Sequence, residues 1–118
     1  MLHYLSEHDF RTEQWEAYKR VNEIFAERIA DEAKDGDLIW VHDYHLLLLP
    51  QLLRERLSAQ SKRCPIGFSL HTPFPADDFW RGLPVQKELL RGMLSSDVIS
   101  FHTEEYKKNF IGSCEAHV

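Results

Sequence analysis

Asp37-Leu38-Ile39-Trp40-Val41-His42-Asp43-Tyr44-His45-Leu46-Leu47-Leu48-Leu49-Pro50 decides how this chain folds. Leu38–Val41 is a short, continuously apolar run, which predicts a buried strand. It stops abruptly at His42-Asp43-Tyr44-His45. Residues 44–58 then return to helical spacing, with Leu46, Leu49, Leu53 and Leu57 on one face. Pro50 falls inside that pattern and should kink the helix or delay its regular start.

The same alternation continues on both sides. Upstream, residues 12–34 predict a helix. Thr12 can cap it, and Glu13 and Glu16 suit the positive end of its dipole. Trp15, Tyr18, Val21, Phe25 and Ile29 give it one apolar stripe, read as core. Lys34-Asp35-Gly36-Asp37 stops it and turns the chain. Downstream, 58–63 is a polar loop and Ile66–Leu70 a second strand. His71-Thr72-Pro73-Phe74-Pro75 ends that strand, because two prolines remove ladder donors. Helical segments are predicted at 76–81 and 84–95, the second opened by Pro84. Asp97–Phe101 is a third strand, and Thr103 caps a last helix with Glu104 and Glu105 in its first turn. Short apolar strands alternating with helices imply an α/β fold, a Rossmann-like parallel sheet covered by helices. Three strands are fewer than the usual five or six. The chain therefore reads as a slice of a larger sheet, with open edges that favour self-association or a larger partner.

Composition narrows the function. The chain has 118 residues and a net charge of −5. An acidic chain without a basic run is a poor ligand for nucleic acid or an anionic membrane. Leu46–Leu49 is the longest aliphatic run, far short of the roughly 20 residues of a membrane span. The first residues have no signal-peptide pattern. Cys64 and Cys114 are too few for a disulfide framework and suit free thiols in the cytoplasm.

In open α/β sheets, ligands bind beyond the carboxyl ends of the strands. All three predicted ends are polar here, and four of the seven histidines fall there: His42, His45, His71 and His102. Asp43 could accept hydrogen bonds from vicinal sugar hydroxyls, or simply cap the helix near Tyr44. His42 and His45 have a spacing that permits metal ligation, though structural histidines share it. His71 is held between a strand and a rigid Pro-x-Pro turn, facing either a ligand or nearby backbone. His102 reads as structural. Phe79, Trp80 and Arg81 could line a sugar site, with packing the simpler role for Phe79. There is no phosphate-cradling glycine loop, Walker sequence, cysteine metal spacing or serine nucleophile elbow.

Three stretches carry a family resemblance: residues 37–50 quoted above; Ile66-Gly67-Phe68-Ser69-Leu70-His71-Thr72-Pro73-Phe74-Pro75, running on to Leu83-Pro84; and Asp97-Val98-Ile99-Ser100-Phe101-His102-Thr103. With His3-Tyr4 and the Trp15–Phe25 segment, the sequence resembles the trehalose-6-phosphate synthases, the retaining glycosyltransferases of family 20. The resemblance implies the GT-B fold, two Rossmann-like domains facing across a cleft. It also implies transfer of glucose from UDP-glucose to glucose-6-phosphate in trehalose biosynthesis, with no required metal and no cofactor beyond the donor. Residues 1–118 would be part of the N-terminal, acceptor-side domain. On the family pattern His71 and Asp43 are the catalytic residues: Asp43 binds the acceptor sugar, His71 lies near the transferred glucose and the reacting centre, and Thr72 is tied to anomer selectivity.

The family's glycine-containing loop and phosphate-binding arginine would precede Met1, and its nucleotide-sugar domain would follow Val118. Without those cations this segment alone is expected to be inactive. Two other classes stand beside this one. One is a non-catalytic subunit or interaction module of a trehalose-synthesising complex. The other is a small metal-dependent hydrolase using His42, Asp43, His45 and His71.

Overall fold

The computed structural model describes residues 12–71 and 85–118. Their elements alternate in chain order: α1 (Thr12–Glu32), β1 (Ile39–His42), a 3-10 turn (Tyr44–Leu46), α2 (Leu49–Ala59), β2 (Ile66–Leu70), α3 (Gln86–Leu94), β3 (Val98–Phe101) and α4 (Glu104–His117). The strands form one parallel sheet in the order β1-β2-β3. The α/β parallel sheet read from the sequence is therefore the fold of these residues. The helix expected at 76–81, and Thr72, Phe79, Trp80 and Arg81, lie outside the described residues.

β2 is central, and all five of its residues are buried. Ile66, Phe68 and Leu70 face a core that also takes Leu49, Leu53 and Leu57 of α2, Leu89, Leu90 and Met93 of α3, and Ala26 and Ala30 of α1. Burying a side chain of this size contributes about 1.5–3 kcal/mol. The opposite sheet face carries Trp40, Gly67, Ser69, Val98 and Ser100, following the period of two along each strand. Trp40 lies directly across Gly67, where any added Cβ would collide with the indole ring.

The flanking strands correct the sequence reading. Neither is continuously buried: Trp40 is 43% and Val98 56% exposed, while Val41 is buried. Among the described residues each borders one neighbour, and only its inward residues meet the helical core. β1 also begins at Ile39, not Leu38, because pairing with β2 starts at Ile39–Ile66. Leu38 lies before it, exposed. β3 begins at Val98, and Asp97 serves as its anchor.

The stripe on α1 needs a larger correction. Trp15 and Tyr18 are buried as expected, but Val21 and Phe25 are about half exposed. The buried face runs instead through Asn22, Ala26 and Ala30. Spacing by fours from Tyr18 keeps to the face that meets α2, and small alanines let the two helices approach. Val21 and Phe25 lie on its flank. The helix ends at Glu32, two residues early. Asp37 Oδ2 then accepts from Lys34 N at 2.8 Å, and Gly36 turns at φ 91°, a conformation that favours glycine.

Other local signals hold. Pro50 sits in the first turn of α2, whose regular start is delayed to Leu49 behind the 3-10 turn. α2 runs one residue past the expected end, to Ala59. Thr103 caps α4, its hydroxyl accepting from Tyr106 N at 3.1 Å.

At the amino ends of the strands, polar groups close on one another. Asp97 Oδ2 accepts from Ile66 N at 2.8 Å and from Arg54 Nη2 at 2.9 Å. Arg54 also donates to Ser95 O at 2.9 Å. The Ile66 backbone N–H, followed by the Arg54 guanidinium, holds the Asp97 carboxyl below its ordinary value.

Candidate active site

The carboxyl ends of the strands are built differently. β1 ends at His42, and the chain turns sharply at Asp43. Asp43 N still donates to Ser69 O at 2.8 Å, extending the ladder by one bond. To do so its backbone takes φ 69° and ψ 179°. That region is essentially reserved for glycine, and holding another residue there costs about 1–3 kcal/mol. Asp43 occupies the cap position of the 3-10 turn, yet its side chain makes no capping bond. Capping therefore does not explain the residue, and the simpler of its two sequence readings falls away.

Helix α1 clamps this turn. Tyr18 Oη donates to Tyr44 O at 2.7 Å and accepts from Leu47 N at 3.0 Å. Asn22, fully buried, donates through Nδ2 to Tyr18 O at 2.9 Å and to His45 O at 3.1 Å. Tyr18 and Asn22 thus fix the loop that presents Asp43. The sequence reading placed Tyr18 in an apolar stripe and gave Asn22 no structural role. The available signal was a pair of hydrogen-bonding side chains four residues apart on a face otherwise fit for packing.

Three of the four rim histidines come together. His42 Nδ1 lies 3.1 Å from His71 Nε2, and His71 Nδ1 lies 3.1 Å from His102 Nε2. All three are exposed and stand on the sheet face of Trp40. One step upstream, Trp40 Nε1 donates to Ser69 Oγ at 2.6 Å, and Ser69 Oγ meets Ser100 Oγ at 2.9 Å. His45 does not join the row; its ring packs on Tyr44 with centroids 4.0 Å apart. His102, read as structural, bonds directly to His71. Among the described residues, no group of three or more His, Cys, Asp or Glu side chains is arranged to hold a metal ion. The imidazole nitrogens of His42 and His71 face each other, whereas ligands would converge on a common point.

The chemistry on offer is recognition more than attack. A carboxylate accepts hydrogen bonds from hydroxyls, and imidazoles both donate and accept. Burial pushes the Cys114 thiol up to about 11, away from the thiolate, and the buried Cys64 thiol donates to Lys34 O. A cleft of about 540 Å³ opens at the other end of the sheet, beside Arg54, Lys62, Arg63 and Asp97. Two of its cations are already engaged, Arg54 as described and Lys62 with Ala30 O at 2.7 Å.

Comparison with known proteins gives these features a context. The glycosyltransferase family 20 profile matches residues 1–118. The UDP-forming alpha,alpha-trehalose-phosphate synthase of Emericella nidulans is 52% identical over 105 residues, which is 89% of this chain and 21% of the relative. A crystal structure of the UDP-forming synthase from Burkholderia vietnamiensis superposes with a TM-score of 0.82 at 39% identity, covering 91% of this chain and 24% of that one. The N-terminal domain of Candida albicans trehalose-6-phosphate phosphatase gives a TM-score of 0.86 at 40% identity, covering 97% of this chain and 24% of that one. The chain spans about a fifth to a quarter of the length of the curated relatives it matches. A profile matching every residue, and relatives half identical over nine-tenths or so of the chain, lead to one conclusion: the chain belongs to glycosyltransferase family 20.

Proposed function

We propose that this chain is the acceptor-side part of a retaining glucosyltransferase, which moves glucose from UDP-glucose to glucose-6-phosphate and forms trehalose-6-phosphate. The observation that carries the reading is Asp43. Its carboxylate stands at the end of β1, on a strained backbone, with no capping role and with the His42–His71 pair starting one residue away. A residue kept where glycine is preferred is kept for its side chain. In this reading Asp43 accepts hydrogen bonds from the acceptor sugar, and His71 contacts the glucose being transferred. Thr72, next in sequence, contributes to anomer selectivity. The donor assignment draws on the relatives' names, which are UDP-forming synthases.

Transfer needs the leaving diphosphate stabilised by preorganised charge. Among the described residues, the partners of His71 are imidazoles, not lysine or arginine. We therefore assign diphosphate binding to parts of the family's fold outside these residues, and the isolated chain to an inactive state. The reaction requires no metal and no cofactor beyond the donor sugar nucleotide. No described helix is long and apolar enough to cross a membrane. The reading adds a cytoplasmic location, no binding of nucleic acid, and self-association or docking into a larger trehalose-synthesising complex. Leu38, Trp40 and Val98, all exposed along the flanking strands, support association.

The test is a titration of the isotope-labelled chain with glucose-6-phosphate, followed by NMR. Shift changes should gather at His42, Asp43, His71 and His102 and vanish in Asp43→Asn. Changes confined to the Arg54–Lys62 cleft, or identical in the variant, would overturn the acceptor assignment. Formation of trehalose-6-phosphate from UDP-glucose by the chain alone would overturn its inactivity.

A further inference from the structure

His71 spends both of its ring nitrogens on neighbouring imidazoles. The rings of His42 and His71 are 10° from parallel with centroids 5.3 Å apart, and His102 meets His71 edge-on at 75°. Sheet register explains the meeting. Leu70 pairs with Phe101, so the residues that follow, His71 and His102, emerge side by side. His42 ends the strand on the other flank of β2.

A neutral imidazole has one N–H and one lone pair. Bonded on both sides, a neutral His71 must donate to one neighbour and accept from the other. Only two arrangements of neutral rings satisfy both bonds. In the first, His42 Nδ1 donates to His71 Nε2, and His71 Nδ1 donates to His102 Nε2. All three rings then carry their proton on Nδ1. In the second, His102 Nε2 donates to His71 Nδ1, and His71 Nε2 donates to His42 Nδ1. All three then carry it on Nε2. A mixed row sets two N–H groups, or two lone pairs, against each other. The outer atoms, His42 Nε2 and His102 Nδ1, consequently have opposite character: when one donates, the other accepts.

We propose that His42, His71 and His102 act as one hydrogen-bonded unit, in which His42 and His102 are positioning residues that fix the ring and the tautomer of His71. A hydroxyl bonded at one end of the row selects the donor or acceptor character of the other end. The bearing of this unit on transfer rests on the function proposed above, while the unit itself is testable without it.

The test uses the chain labelled with ¹⁵N in histidine, studied by long-range ¹H–¹⁵N correlation about two units above the ordinary histidine pKa of ~6.5. His42, His71 and His102 should report the same tautomer, with N–H···N couplings joining His71 to both neighbours. His102→Phe should shift the ring nitrogens of His71 and also of His42, which His102 does not touch. His45→Phe should leave all three unchanged. Mixed tautomers or absent couplings in the unaltered chain would overturn the proposal, and that measurement needs no variant to fold. A His42 signal indifferent to His102→Phe would also overturn it. Glucose-6-phosphate binding is read separately. A coupled row that binds no sugar would sink only the acceptor assignment, whereas sugar binding by three uncoupled rings would sink only the row.

Discussion

The two ends of the sheet are made from similar residue types and put to opposite use. At the amino end, Asp97, Arg54 and the backbone of Ile66 and Ser95 satisfy one another. At the carboxyl end, the corresponding carboxylate, Asp43, sits on a strained backbone and caps nothing, beside three exposed imidazoles. Closure is the signature of a structural cluster. A strained backbone beside exposed hydrogen-bonding side chains marks a candidate functional site. A cleft of about 540 Å³ lies at the closed end, away from Asp43 and the imidazoles.

The largest expected effect comes from opening the closed end. Asp97→Ala removes the acceptor for Ile66 N–H and the partner of Arg54. Hydrogen bonds to charged groups contribute about 1.5–3 kcal/mol, and half-exposure of Asp97 places the loss near 2 kcal/mol in total. Denaturant unfolding should report it, while glucose-6-phosphate shifts at His71 stay unchanged. Loss of those shifts would break the separation between the two ends. The same residue sets an acid limb. Its folded pKa is depressed, so its contribution is complete above the ordinary aspartate value of about 3.9 and fades as pH falls through the lower folded value. Asp97→Asn should flatten the stability–pH curve below about pH 4, and an unchanged curve would remove Asp97 from that role.

Next in size is the clamp on the open end. Tyr18→Phe leaves the Leu47 N–H and Tyr44 carbonyl without their shared partner. The cost should be about 1–2 kcal/mol, since a buried donor is orphaned. Unlike Asp97→Ala, this variant should also weaken glucose-6-phosphate binding, because the loop carrying Asp43 loosens. Normal binding in a destabilised Tyr18→Phe would mean the loop holds itself.

How far the sequence reveals these two ends follows from the range of the interactions. Strand β2, the Pro50 start of α2 and the Thr103 cap are local patterns and are readable. Asp43 and His71 are readable as strand-end residues because a parallel α/β order puts such ends on one rim. The row is not. Its bonds join residues 29 and 31 positions apart, and they depend on register between strands, which no local spacing encodes. The clamp is hidden for a related reason: Tyr18 and Asn22 look like any residues of an amphipathic face until the loop they hold is placed against them. The exposure of Val21 and Phe25 reflects tertiary choice, since α2 meets the alanine side of α1 rather than its bulkier flank.

The smallest effect is the most telling, because its sign runs against ordinary expectation. At the central position, Asp43→Gly relieves a conformation that costs about 1–3 kcal/mol for a non-glycine residue, less about 0.5–1 kcal/mol for the added freedom of the unfolded chain. Thermal unfolding of Asp43→Gly against Asp43→Ala, both of which lack the carboxylate, should show a midpoint higher by about 4 °C in the glycine variant, roughly 1 kcal/mol for a domain of this size, with neither variant responding to glucose-6-phosphate. An equal or lower midpoint would contradict the claim that this end of the sheet holds strain in order to present the Asp43 carboxylate.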